Sequence, residues 1–163
     1  MNKRGAFGSD IGLVLAILLL FGVIVIVGYK IFSDYNDEWQ AKDDVSTQSK
    51  EIVGTLQGRY VNLFDGIFLF IFAGLGIALL ISSVTIGTRP EFFFATLILT
   101  VIFVGISAVL SNVYSDVSTN PELNTTSQEF NVIPYLLGNL PMVTLVFAFL
   151  VMIGLYVKVK LIG

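Results

Sequence analysis

IGLVLAILLLFGVIVIV, residues 11–27, holds nothing but apolar side chains and glycine, and the run continues through Tyr29 to Ile31. A helix rises about 1.5 Å per residue, so roughly 20 apolar residues cover a hydrocarbon core of about 30 Å. Three further stretches have the same character: Leu63–Ile86, Phe92–Val113 and Ile133–Val157. A chain of 163 residues has too little interior to surround four such segments. Lipid is therefore expected around them. The fold class reads as an all-α integral membrane protein of four transmembrane helices, forming one membrane domain over residues 1–163, with a polar helical insert between the first and second.

Composition agrees. Hydrophobic residues make up 55% of the chain and charged residues 13%, with a mean hydropathy of +0.87; ordinary globular chains carry about 25% charge. The net charge is only −3, and the nine basic residues form no run that would neutralise several phosphates at once. Nucleic acid is not an expected partner. The chain has no cysteine and no histidine, which removes disulfides, thiolate nucleophiles, Cys- or His-held zinc, Cys-held iron–sulfur clusters and the commonest general base. No cofactor, metal site or small-molecule substrate is expected.

Span boundaries follow from turn chemistry. Gly87-Thr88-Arg89-Pro90-Glu91 interrupts the second and third runs, and proline pushes its predecessor out of the helical region. Spans two and three are expected to form a tight antiparallel hairpin. The third run ends at Ser111-Asn112. The fourth contains Pro134, Gly138, Asn139 and Pro141 in its first turns, so it either starts near Pro134 and kinks or starts at Pro141 with Asn139 or a neighbour as cap. The second option suits the preference of proline for the first helical turn. All six tyrosines and the sole Trp39 lie at or just beyond these ends, where amphipathic rings collect at headgroup level.

Lys3, Arg4, Arg89, Lys158 and Lys160 fall on one side of this arrangement, while the 114–132 segment opposite has no basic residue. The positive-inside rule then places both termini on the cytoplasmic or equivalent inner side of a cellular or virion membrane. Lys42, Lys50 and Arg59 in the 33–62 segment weigh against that bias without reversing it.

The insert, 33–62, carries six acidic and three basic side chains. Ile52, Leu56 and Tyr60 stand four apart, the spacing of one helical face. The insert reads either as a helical projection of the two spans, turning near Ser46-Thr47, or as a segment along the membrane surface; sparse apolar residues in its first half favour the projection. Segment 114–132 is rich in Ser, Thr, Asn, Pro and Glu and reads as an irregular loop. Within it, Asn124-Thr125-Thr126 matches the glycosylation sequon, a short pattern that arises often by chance.

Membrane-embedded ionisable groups flag transport and proton chemistry. The interiors of the four runs have none, and Asp10 and Asp65 sit at run ends. The internal polar atoms are hydroxyls: Ser82, Ser83 and Thr85 in span two, Thr96, Thr100 and Ser107 in span three, Thr144 in span four. A helical hydroxyl satisfies itself on the preceding turn or bridges helices, so packing is the first reading and a narrow polar pathway the second. Gly12/Ala16 and Gly74/Ala78, with Gly76 between the latter, offer small-residue faces for helix contact. Phe64, Phe68 and Phe72 read as packed or lipid-facing bulk. No hydrolase, protease or phosphate-loop motif is present, and no catalytic residues are assigned.

Lys3-Arg4-Gly5 ahead of Ala6-Phe7-Gly8-Ser9-Asp10 and a long apolar helix resembles a type IV prepilin leader, which implies a cut after Gly5. The resemblance covers about the first thirty residues. Asp10 stands where that family usually has Glu, and three further spans follow where that family has a soluble β-rich head after its single membrane helix. The plain alternative is a basic anchor before a signal-anchor helix.

These features converge on a non-enzymatic structural membrane protein. It would pack laterally in a larger assembly, such as the internal membrane of a lipid-containing virion or an accessory position in a cellular complex. Its expected partners are the bilayer and other membrane or capsid proteins, met through the 33–62 projection and the small-residue faces. The rivals are a small channel or holin-like pore former and a pilus-related protein.

Overall fold

The structure, a computed structural model, describes residues 6–85 and 91–162, and the side chains of 6–12, 82–85, 91–93, 155 and 157–162 are outside the description. The basic leader, the Gly87–Pro90 turn, and the side chains of Asp10, Gly12, Ser82, Ser83, Thr85, Lys158 and Lys160 therefore lie outside the described residues. All regular structure among the described residues is helical. Helix α1 runs over Ala6–Ala41, α2 over Thr47–Thr85, α3 over Glu91–Ser118, α4 over Asn124–Glu129, α5 over Val132–Gly138 and α6 over Leu140–Ile162.

Leu13–Ala41, Thr47–Ile81 and Phe94–Ser118 are each long and apolar enough to cross a membrane. Val132–Gly138 and Leu140–Gly154 meet that test only together, and they bend by 76° at the break between them. Among the described residues the chain is thus helical with three candidate crossings, or four if the bent pair is one. Only 39%, 17% and 17% of the apolar windows of α1, α2 and α3 are buried inside the protein. The uncovered remainder includes Ile24, Phe70, Ile98 and Val101, far more apolar surface than a water-soluble monomer leaves open. These features mark a membrane protein.

At 36 and 39 residues, α1 and α2 measure about 54 and 58 Å at 1.5 Å per residue, well beyond a bilayer core of about 30 Å. Both continue through the polar stretch and meet at a short turn over residues 42–46. Ser46 ends that turn by capping α2: its Oγ accepts from the Ser49 N–H at 3.2 Å, and its carbonyl accepts from Lys50 N–H at 3.1 Å.

The four long helices form a cycle in which α1 and α6 occupy opposite corners and α2 and α3 the other two; α2 packs against α1 and α6, and so does α3. This corrects the expectation of a tight hairpin between spans two and three. The turn joining them is outside the described residues, but the helices themselves have no extended mutual contact among those residues. Side-chain fit decides the neighbours. The ring of Phe147 on α6 occupies the space that a Cβ at Gly76 on α2 would take, so α6, not α3, lies against that face of α2.

Two further outcomes concern the polar loop and the fourth run. Segment 114–132 is not irregular: α3 continues to Ser118 and α4 follows, with Thr126 and Ser127 buried. At the fourth run each alternative holds in part: a helix, α5, covers Pro134 and bends by 76° into α6, which begins at Leu140, one residue before Pro141. Asn139 sits at the break. Its N–H and Nδ2 both donate to the Tyr135 carbonyl, at 3.2 and 2.8 Å, while its own carbonyl accepts from Val143 N–H at 3.0 Å. One residue thus closes α5 and opens α6.

Candidate functional site

The densest packing lies at the end of the bundle that receives α4 and α5. Helix α5 touches all four long helices. Ile133 and Leu137 are fully buried, and Leu136 and Leu140 nearly so. They enter because α1 is notched at Gly22, where a Cβ would stand 2.5 Å from Leu137 Cδ1 and 3.1 Å from Ile133 Cγ2. Phe68 of α2 fills the space beside them with no exposure and stacks on Phe21 at 6.2 Å between ring centroids.

A seven-residue helix buried this way must have its free backbone groups satisfied, since each unpaired one costs about 1–3 kcal/mol. The N-cap residue Asn131 makes no side-chain cap bond. Asp65, from α2, does the work instead. Its Oδ2 accepts from the backbone N–H of Asn131 at 2.7 Å and of Val132 at 3.0 Å, and its Oδ1 accepts from Ile133 N–H at 3.0 Å. The next residue, Pro134, has no N–H to satisfy. The negative charge also sits at the favourable end of the helix dipole. At the other end, the buried Ser111 of α3 donates its Oγ proton to the Gly138 carbonyl at 2.7 Å. Both ends of α5 are therefore held by side chains from other helices.

Helix α4 is tied separately. Tyr29 of α1 donates its hydroxyl proton to Glu129 Oε2 at 2.6 Å, and its ring meets Phe130 edge-on at 5.5 Å and Tyr60 at 5.3 Å. Tyr60 in turn packs on Phe64 at 4.3 Å. The Tyr114 hydroxyl is buried and makes no hydrogen bond within the described residues. Asn124 of the sequon accepts from Gln128 Nε2 at 2.6 Å.

The residues singled out in the sequence divide clearly. Thr100 donates to Thr96 O at 2.8 Å and Ser107, fully buried, donates to Val104 O at 2.9 Å. These hydroxyls are satisfied on their own helix. Of the phenylalanine stripe, Phe68 is core and Phe64 and Phe72 pack against it. Gly74 and Ala78 face outward with open space at Gly74, whereas Gly76 receives Phe147. Ile52 and Leu56 are exposed while Tyr60 turns inward.

Sequence reasoning missed the role of Asp65, the notch at Gly22 and the Tyr29–Glu129 bond. A lone acid at the head of an apolar run was the available signal for Asp65. Its partners lie 66 to 68 residues away, so no local pattern identifies them. Three of the roughly four lone-pair sites of that carboxylate are occupied, which leaves little for a substrate. Among the described residues, no group of carboxylates is placed to hold a metal ion. Comparison with protein-family models, curated proteins and solved structures found no match.

Proposed function

We propose that the chain is a non-enzymatic structural component of a membrane, packing laterally within a larger assembly such as the internal membrane of a lipid-containing virion or a cellular membrane complex. In this reading it crosses four times, with α5 and α6 together as the bent fourth crossing. The α1–α2 hairpin projects on the outer side, and both termini lie inside, as the Lys/Arg distribution favours. The observation that carries the reading is the use made of buried polar groups. The buried Asp65, Ser111 and Ser107 and the half-buried Thr100 are each spent on backbone atoms of the bundle. The Tyr114 hydroxyl is the exception beside them, and the outward faces of the membrane-length stretches are apolar. A transporter or pore needs polar groups left over for its cargo.

Two measurements test it. Purified protein reconstituted at high protein-to-lipid ratio is expected to leave an ion or dye gradient intact; rapid dissipation would replace this reading with a pore. Gentle detergent extraction is expected to bring down partner membrane or capsid proteins, or further copies of the chain, and a lone monomer would contradict lateral assembly.

A further inference from the structure

Resting on the lateral-packing reading, we infer that the outward face of α2 in the projecting hairpin seats against the outward face of α1 in a second copy of this chain in the same membrane. Ile52, Leu56 and Arg59 stand on the side of α2 turned away from α1, Ile52 and Leu56 each 55% exposed. With Glu51 and Thr55 they line a shallow open groove. On α1, Ile31, Asp34 and Tyr35 face outward, with Ile31 64% and Tyr35 51% exposed. On α2 the apolar pair is flanked by Glu51 toward the hairpin tip and by Arg59 toward the bundle, and on α1 the apolar pair brackets Asp34, opposite in sign to Arg59.

The heights also match. Within one hairpin Gln40 donates to the Lys50 carbonyl and the Tyr29 ring lies on Tyr60, so residues whose numbers sum to about 90 share a level. Leu56 is level with Asp34, and Arg59 with Ile31. Side chains lean toward the N-terminus of their own helix. Because α1 and α2 are antiparallel, Arg59 leans toward the hairpin tip and Asp34 toward the bundle, which closes an offset of about 4.5 Å. Arg59 has no ion pair among the described residues, and Asp34 is held by Lys30 Nζ at 2.5 Å. A neighbouring guanidinium would turn that pair into a Lys–Asp–Arg cluster.

Charge selects this mode over the symmetric ones. Two copies related by a twofold axis along the membrane normal bring residues of equal height together. An α2–α2 pairing would place Arg59 on Arg59, and an α1–α1 pairing would place Asp34 on Asp34. Like charges across an interface are a strong discriminator. The α2-onto-α1 contact opposes unlike charges, and the same two faces continue below as Leu63 and Phe70 on α2 and Ile24 and Ile17 on α1, all exposed. Such a head-to-tail contact propagates into rings or open arrays rather than stopping at a dimer.

The natural absence of cysteine makes the test clean. Differently tagged Leu56→Cys and Tyr35→Cys chains are co-reconstituted in liposomes and oxidised. The mixed Leu56→Cys/Tyr35→Cys product is expected in at least a five-fold excess over either homodimer. Arg59→Glu is expected to abolish it, and Arg59→Glu combined with Asp34→Arg to restore it. Dominant homodimers, or a mixed product indifferent to Arg59→Glu, would overturn the inference. Absence of any cross-link from a chain that still co-purifies with other membrane proteins would overturn it while leaving lateral assembly standing. A chain that is monomeric and without partners would remove both.

Discussion

Asp65 and Gln57 lie on the same helix, two turns apart, and their surroundings make them different objects. Asp65 is buried at the α5 end and alone supplies three acceptor contacts. Gln57 lies in the seam of the projecting hairpin, where the polar groups serve one another. Its Nε2 donates to Ser33 Oγ at 2.9 Å and its Oε1 accepts from Asn36 Nδ2. Gln40 then donates to Asn36 Oδ1 at 3.1 Å, and Lys50 Nζ to the Gln40 carbonyl at 2.8 Å. The contrast teaches that the number of hydrogen bonds matters less than what replaces them. In the hairpin, neighbouring polar side chains stand ready. Around the buried part of α5 the neighbours are mostly apolar side chains.

Mutations on each side break or sharpen that contrast. The largest effect is expected from Asp65→Ala, which strands three N–H groups and should lower stability by about 3–5 kcal/mol. Thermal unfolding in detergent reads the loss, and limited proteolysis should then cut first between α4 and α6. Asp65→Asn, retaining one acceptor oxygen, should lose less. A variant as stable as the parent would contradict the capping role.

Gly22→Val comes next. Its added carbons meet Leu137 and Ile133, and overpacking of this kind costs about 1–3 kcal/mol. Gly74→Ala, on a face with open space, is the matched control and should stay within about 0.5 kcal/mol. A loss at Gly22 no larger than the change at Gly74 would show that the notch is not what Gly22 supplies.

In the hairpin, Gln57→Ala removes two side-chain bonds from a part-buried seam whose other polar groups remain as partners, and should cost about 0.5–1.5 kcal/mol by the same unfolding assay. Matching the Asp65→Ala loss would erase the distinction drawn here. The smallest effect is expected from Tyr114→Phe. It deletes a buried hydroxyl with no partner, so the melting temperature should hold or rise slightly.

Much of the architecture was legible in single stretches of chain. Ile11–Ile31 and Phe92–Val113 announce apolar helices because a lipid-embedded segment needs no long-range partner to be recognised. Thr100 and Ser107 were readable as self-satisfied hydroxyls, since the carbonyls they reach lie three or four residues back. Gly74 and Ala78 face outward: small-residue spacing shows where a close approach is possible, and within the chain only the position of Phe147 shows that Gly76 is where it occurs. Segment 114–132 misled. Its Ser, Thr and Asn residues favour turns on their own, yet Ser127 donates to both Ser118 and Asn124 carbonyls, at 3.2 and 2.9 Å, and folds the segment into α4 against α1.

The order of residues alone determined that this chain is helical, that its apolar runs call for lipid, and that His- and Cys-based chemistry is closed to it, because those properties belong to residue types and spacings within a few turns. The tertiary structure decided which helices are neighbours, that α5 is inserted at Gly22, and that Asp65 is spent on backbone N–H groups. Those outcomes depend on shape fit and hydrogen-bond reach between segments distant in the chain, and a linear pattern carries no record of such distances.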